Sequence, residues 1–166
     1  FAGEMERSIR AMDYGLVIVS GVEGVQGHTE TVCRLLRHYG VPTLFFINKM
    51  DRDGADKEKV KKELERSCSV CLADFSDGFS KGTLGDNLKE RLAELDDTLL
   101  EAFLEGEEDE TLWNTALRRL VKEGKVSPCW CGSALQDQGV EEFLQDLAWL
   151  EDEEVPQAEA PFHGIV

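Results

Sequence analysis

Short continuous apolar runs alternate along the chain with apolar residues at helical spacing. Three such runs predict strands at residues 16–19, 43–47 and 126–131, the third despite Pro128. The first run has no polar position, which is typical of a strand buried on both faces of a parallel sheet. Residues spaced three and four apart predict helices before and after these strands: Met5, Ile9 and Met12; Val32, Leu35, Leu36 and Tyr39; Val140, Phe143, Leu144 and Leu147.

The stretch between the second and third strands departs from this alternation. Residues 56–67 predict a helix with few apolar positions, and 68–83 are predicted to be irregular. An apolar stripe over 84–103 then predicts one long helix, and Trp113, Leu117 and Leu120 predict a second. These two helices, within 84–123, indicate an inserted helical lobe, with the whole insertion spanning about 68–125.

Strand–helix–strand alternation implies right-handed crossovers and a parallel sheet. We therefore predict an α/β fold for residues 1–150. An acidic linker with two prolines follows at 151–161, and residues 162–166 are predicted to open a following β domain. The first residue is Phe1 rather than Met, which indicates a processed, truncated or excised chain.

The net charge of the chain disfavours some classes of binding partner. The 34 acidic and 18 basic residues give a formal net charge of −16, which opposes broad binding to nucleic-acid backbones. Two acidic runs, 105–110 and 151–154, are typical of solvated loops or of docking to a basic partner.

The five cysteines leave three interpretations open. Cys68 with Cys71 and Cys129 with Cys131 offer a zinc site, a redox pair, or small buried residues in a reducing cytosol. The second pair lies in a predicted strand, where both sulfurs share one face, whereas zinc ligands usually converge from turns.

Candidate chemistry lies at the carboxyl ends of the strands, where open α/β sheets bind ligands. Asn48, Lys49 and Asp51 directly follow the second strand. A carboxylate at Asp51 can accept hydrogen bonds from N1–H and the 2-amino group of guanine, and adenine offers neither donor on that edge. Asn48 can donate to N7 or brace neighbouring loops, and the aliphatic stem of Lys49 can lie along the base. The alternative interpretation is a polar turn that ends a strand.

A second loop follows the third strand. Gly132, Ser133, Ala134 and Leu135 predict a tight turn whose main-chain N–H can reach the O6 acceptor of a purine. Alone this string is common in turns. Its position after another strand of the same sheet gives it weight beside the first loop.

These stretches resemble the translation-factor GTPases, specifically the elongation factor G and ribosomal-protection tetracycline-resistance group. The resemblance covers most of the chain, most closely at residues 1–10, 13–20, 24–31, 45–52 and 131–135. It implies a P-loop GTPase sheet with a helical insertion. It also implies base specificity from Asn48, Lys49 and Asp51, and a second guanine loop at Ser133, Ala134 and Leu135. Residues 1–12 would be the helix after the switch II turn.

The same resemblance implies a cytoplasmic, ribosome-associated parent that uses GTP and Mg²⁺ and whose helical lobe meets the ribosomal stalk protein. The lobe is expected to be an appendage, separable from guanine recognition. The amino-acid sequence of residues 25–29 and 45–47 favours the ribosomal-protection branch over elongation factor G itself.

The chain also departs from the pattern of this group. No Gly-x-x-x-x-Gly-Lys-[Ser/Thr] phosphate loop occurs in it, and the Asp-x-Pro-Gly-His turn that contacts magnesium is absent. The fold is therefore expected to lack its N-terminal strands and phosphate loop, the Mg²⁺ ligands to lie outside the chain, and the chain alone to be catalytically inactive. The alternative function is a non-catalytic binding or scaffold module with half of a nucleotide site.

Overall fold

A computed structural model describes residues 2–80 and 82–151 of the chain. The predicted linker, beyond its first residue, and the predicted start of a β domain at 162–166 lie outside these residues.

The described residues contain a four-stranded parallel sheet and a short antiparallel hairpin. The sheet has the order β1-β2-β6-β3, and β4 pairs with β5 in the hairpin. The strands are β1 Gly15–Ser20, β2 Thr43–Asn48, β3 Leu72–Asp74, β4 Phe79–Ser80, β5 Thr83–Leu84 and β6 Ser127–Cys131. The three strands predicted from apolar runs are therefore confirmed.

The helices surround this sheet. Helices α2 and α3 follow β1 and β2, and α8 follows β6, as parallel connections require. Their bounds are α1 Ala2–Ile9, α2 Gly27–His38, α3 Lys57–Ser67, α4 Phe75–Gly78, α5 Asp86–Ala93, α6 Asp97–Leu104, α7 Glu110–Lys122 and α8 Val140–Glu151. No helix among the described residues is long and apolar enough to cross a membrane.

The two faces of the sheet bury two separate apolar clusters. Successive side chains of a strand point to opposite faces, so Phe45 and Ile47 of β2 join one cluster and Leu44 and Phe46 join the other. The first cluster packs the sheet against α1, α2 and α3. The second packs it against α5, α6, α7 and α8.

Strand β1 is buried on one face only, so the prediction of burial on both faces is wrong. Val17 and Val19 are buried, whereas Leu16 and Ile18 are 43% and 61% exposed. The reason is position: β1 lies at an edge of the sheet and pairs only with β2 among the described strands.

The predicted long helix over 84–103 is two helices. Leu84 ends β5, and the helical chain breaks between Ala93 and Asp97. The break has a local cause, because the Asp96 carboxylate accepts hydrogen bonds from the N–H groups of Thr98 and Leu99 and starts α6 as its N-cap.

The insertion is part of the domain and not an independent appendage. Residues 68–83, predicted to be irregular, contain β3, which pairs with β6 in the main sheet. The lobe residues Leu88 and Trp113 lie in the same buried cluster as Phe46 and Trp130 of the sheet. The expectation that the lobe is an appendage is therefore wrong, whereas its separability from guanine recognition stays a prediction.

Candidate functional site

The loops after β2 and β6 meet at one edge of the sheet because these strands are parallel neighbours. The main chains join them directly: the Gly132 N–H donates to the Ile47 carbonyl at 3.0 Å, and the Met50 N–H donates to the Gly132 carbonyl at 3.0 Å. The structure thus brings the two predicted guanine loops into contact.

Asn48 fastens the two loops through its side chain. The Ala134 N–H donates to Asn48 Oδ1 at 2.9 Å. This contact fixes the orientation of the amide, because only the oxygen can accept. The Nδ2 group then points its donors away from this bond, and no described residue accepts a hydrogen bond from it. Asn48 therefore braces the loops and keeps a free donor.

Lys49 turns the chain away from the strand. Its φ of 64° lies in the left-handed region, which residues with side chains adopt rarely. Its ammonium lies 4.0 Å from the Glu23 carboxylate, with both side chains largely exposed. The Gly21 N–H donates to the Asn48 carbonyl at 2.7 Å, so the loop after β1 is tied to the same site.

Asp51 presents an exposed carboxylate beside the second loop. Its one described hydrogen bond is long: Gln136 Nε2 donates to Oδ2 at 3.4 Å. No described cation forms an ion pair with it. The carboxylate can therefore accept further donors.

The second loop is a closed turn with one buried anchor. Ser133 is 1% exposed, and its main chain exchanges two hydrogen bonds with Gln138, at 3.0 and 2.9 Å. Gly132 has no room for a side chain, since a Cβ there would lie 2.0 Å from the Gln138 carbonyl oxygen. Leu135 is 84% exposed, so Ser133 and not Leu135 anchors the turn.

Gln136 and Glu23 are neighbours of the site that sequence reasoning missed. Each contacts a predicted residue from a different loop, Gln136 reaching Asp51 and Glu23 reaching Lys49. Neither belongs to a motif, and only the folded sheet edge places them there.

The two cysteine pairs do not converge. All five cysteines are free thiols, and the described residues hold no group of three or more His, Cys, Asp or Glu side chains arranged for a metal ion. Cys71 contacts the Arg91 guanidinium at 3.6 Å, and Cys129 is buried in the sheet, where burial raises the pKa of its thiol. The partner of Cys68 is instead Cys33. A side-chain hydrogen bond between these two thiols raises the pKa of Cys33 and lowers that of Cys68.

A parallel sheet with its candidate loops at the carboxyl ends of neighbouring strands defines the class of open α/β domains that bind ligands at this edge. The family described as Elongation factor Tu GTP binding domain matches residues 1–151. The chain belongs to this family, and its fold is that of a P-loop GTPase domain.

Curated relatives include translation factors and antibiotic-resistance proteins. Elongation factor G of Dehalococcoides mccartyi is 35% identical over 87% of this chain and 27% of its own length. Tetracycline resistance protein TetP of Clostridium perfringens is 32% identical over 89% of this chain and 25% of its own length. Oxytetracycline resistance protein of Streptomyces rimosus is 31% identical over 100% of this chain and 28% of its own length.

The chain thus spans between 25% and 28% of the length of these three relatives. A solved crystal structure of a protein from Thermus thermophilus superposes on 90% of the chain with a TM-score of 0.72. The superposed part is 28% of that chain, with 24% sequence identity, which supports the fold.

Proposed function

We propose that the joined loops bind the guanine base of GTP or GDP at a site formed by Asn48, Lys49, Asp51, Ser133, Ala134 and Leu135. The observation that carries this proposal is the Ala134 N–H to Asn48 Oδ1 bond, which holds the two loops together beside the open carboxylate of Asp51. Joined loops hold their donors and acceptors in place before a ligand arrives, and such preorganisation lowers the cost of binding.

Each base contact uses a group that the structure leaves available. Asp51 accepts from N1–H and the 2-amino group, displacing the long bond from Gln136. Asn48 Nδ2 donates to N7 while Oδ1 keeps its bond to Ala134. The Ala134 N–H is already engaged by Asn48, so the main chain of Leu135 is the nearest donor in sequence for O6.

We propose further that the parent protein is a ribosome-associated translational GTPase of the elongation factor G and tetracycline-resistance group. The family match and the relatives of both kinds support it. The amino-acid sequence of residues 25–29 and 45–47 favours the ribosomal-protection branch. Mg²⁺ would be held by residues outside this chain, as the absence of the phosphate-loop and Asp-x-Pro-Gly-His motifs from the sequence implies. The helical lobe would contact the ribosomal stalk protein.

The test is a change of base specificity at Asp51. Xanthine carries a carbonyl where guanine carries the 2-amino group, so Asp51→Asn replaces an acceptor with a donor at the matching position. Each mismatch leaves a polar group unpaired and costs about 1–3 kcal/mol. We expect Asp51→Asn to shift the preference from guanosine towards xanthosine nucleotides at least tenfold, measured by competition binding to the longer protein.

Gln136→Ala is the matched control, because it removes only the long bond to Asp51 and should leave the preference unchanged. An Asp51→Asn protein that still prefers guanosine nucleotides by the wild-type ratio would show that Asp51 does not read the base.

A further inference from the structure

A cavity of about 290 Å³ adjoins the second loop of the candidate site. It is bounded by α4, β4, the end of β6 and α8. Its apolar lining comes from the rings of Phe75, Phe79 and Trp130, and its polar lining includes Glu142 and Asp146 of α8. The cavity therefore combines an aromatic wall with two carboxylates.

Asp146 is a buried acid without a described cation. It is 9% exposed, and its Oδ2 accepts a hydrogen bond from the Trp130 indole at 2.8 Å. Burial raises the pKa of Asp146, although the Trp130 hydrogen bond lowers it, and the charge of Glu142 one helical turn earlier raises it further. No described lysine, arginine or histidine forms an ion pair with either carboxylate. Two like charges thus share the cavity at a cost to stability.

Another largely buried acidic residue of the chain, Asp74, does have cationic partners. The Asp74 side chain is 16% exposed, and it is paired with Lys57 at 3.2 Å and Lys61 at 2.9 Å. These cations outweigh the effect of burial and lower the pKa of Asp74 below the ordinary value. Among the described residues, Asp146 therefore lacks the cationic partners that Asp74 has.

We propose that the cavity binds a guanidinium group carried on an alkyl chain, with Asp146 and Glu142 as its acceptors. A guanidinium is more weakly hydrated than an ammonium, so it loses less on entering a cavity with aromatic walls. Its planar array of N–H donors can serve two carboxylates at once. The apolar walls lower the local dielectric and strengthen these charge-assisted bonds.

Size supports the same ligand class. Pockets for drug-sized ligands measure about 300–1,000 Å³. At about 290 Å³ this cavity lies just below that range and suits one side chain or a small molecule. An arginine side chain of a partner protein and a free alkylguanidine share the proposed chemistry.

The test uses the 166-residue chain and three probes in isothermal titration calorimetry. Acetyl-Gly-Arg-Gly-amide represents a partner's side chain, agmatine represents a free alkylguanidine, and acetyl-Gly-citrulline-Gly-amide is the uncharged match to the first. We expect a dissociation constant on the order of 1 mM for the preferred cationic probe and at least tenfold weaker binding of the citrulline peptide. Tighter binding of the arginine peptide than of agmatine assigns the site to a partner's side chain, and the reverse order assigns it to a free alkylguanidine.

Variants connect this binding to the cavity. Asp146→Asn keeps an oxygen acceptor for the Trp130 indole while removing the charge, and it should weaken the cationic probe at least tenfold. Its melting temperature should not fall, because the folded protein disfavours the charged form of Asp146. Glu142→Gln, at the exposed rim, should weaken binding by a smaller factor. Glu141→Gln, whose carboxylate instead meets Gln145, is the matched control.

Equal binding of the arginine and citrulline peptides would overturn the proposal. So would an unchanged affinity in both Asp146→Asn and Glu142→Gln. Neither result would affect the guanine site, since none of the three acidic residues in these variants belongs to it.

Discussion

Asn48 performs two tasks with one amide, and the two tasks can be separated. Its Oδ1 accepts from the Ala134 N–H of the second loop, and its Nδ2 is left for a ligand. A carboxylate retains the first function and loses the second, whereas a methyl group loses both.

We predict that Asn48→Asp keeps most of the stability but loses guanosine affinity about tenfold, because a second acceptor would face N7. Asn48→Ala should also lower the free energy of unfolding by about 0.5–1.5 kcal/mol. Urea unfolding and ligand-observed NMR with guanosine measure the two effects. Wild-type affinity in Asn48→Asp would mean that bracing is the only role of this side chain.

The candidate base-binding residues at the end of a strand could be predicted from the sequence. The residues that contact them from other loops could not. Asn48 and Asp51 follow an apolar run, so their place at the sheet edge comes from the sequence pattern alone. Gln136 reaches Asp51 across 85 positions of the chain. Such a pairing depends on the order of the strands, which hydrophobic periodicity does not contain.

At the scale of elements, an ion network ties α3 to the end of β3. Lys57 and Lys61, one turn apart on α3, both meet Asp74, and Lys57 also meets Asp77 of α4. Asp74 additionally caps α4 by accepting from the Ser76 N–H at 2.9 Å. Burial opposes the charged form of Lys57, but its hydrogen bonds to Asp77 and Asp74 raise its pKa above the ordinary lysine value.

We predict that Asp74→Asn lowers the free energy of unfolding at pH 7 by about 1–3 kcal/mol, because two half-buried lysines lose their shared partner. Asp74 has a folded-state pKa below its unfolded value of about 3.9, so its contribution is present above that pH and is lost as the pH falls through the folded pKa. Urea unfolding at pH 7 and at lower pH should therefore show the difference shrinking in acid.

The matched control for this network is Asp77→Asn, since the Asp77 side chain is 73% exposed. A surface pair of this kind contributes about 0–1 kcal/mol. If Asp74→Asn cost no more than Asp77→Asn, or if its cost were unchanged in acid, the network would not be fastening α3.

Sequence reasoning missed two features of the fold. One is the break between α5 and α6, which has a local cause, and the other is β3, which is very short. The apolar stripe continues across the gap between α5 and α6, so it hides a break that the Asp96 cap produces. Strand β3 has three residues, too few to show a period, and its existence depends on pairing with β6.

At the scale of the whole molecule, β1 has an edge that no described strand pairs with, together with an exposed apolar face. Leu16 and Ile18 are exposed on that face among the described residues, and Met12 and Val22 are also exposed, at 43% and 38%. Edges with exposed apolar side chains favour pairing between chains. The net charge of −16 opposes such contacts until salt screens it.

We predict that residues 1–166 self-associate as concentration rises in high salt, and that Ile18→Lys suppresses this association. Leu144→Lys is the control, because Leu144 is similarly exposed, at 56%, but lies on α8. Sedimentation velocity gives the mass of the species present. A folded monomer at high concentration and high salt would contradict the prediction.

The pairing of β3 with β6 joins residues that are far apart in the chain, which predicts an order of events during folding. The lobe helices separate these strands, and Ser76 and Cys131, which hydrogen-bond at their ends, are 55 positions apart. Contacts inside α5, α6 and α7 are close in sequence and form quickly, whereas closing a long loop before it has structure costs entropy. We expect the lobe helices to fold first and to carry β3 to the sheet. Pulsed hydrogen exchange should then protect the amides of Leu117 and Leu120 before that of Ala73, and protection in the opposite order would exclude this route.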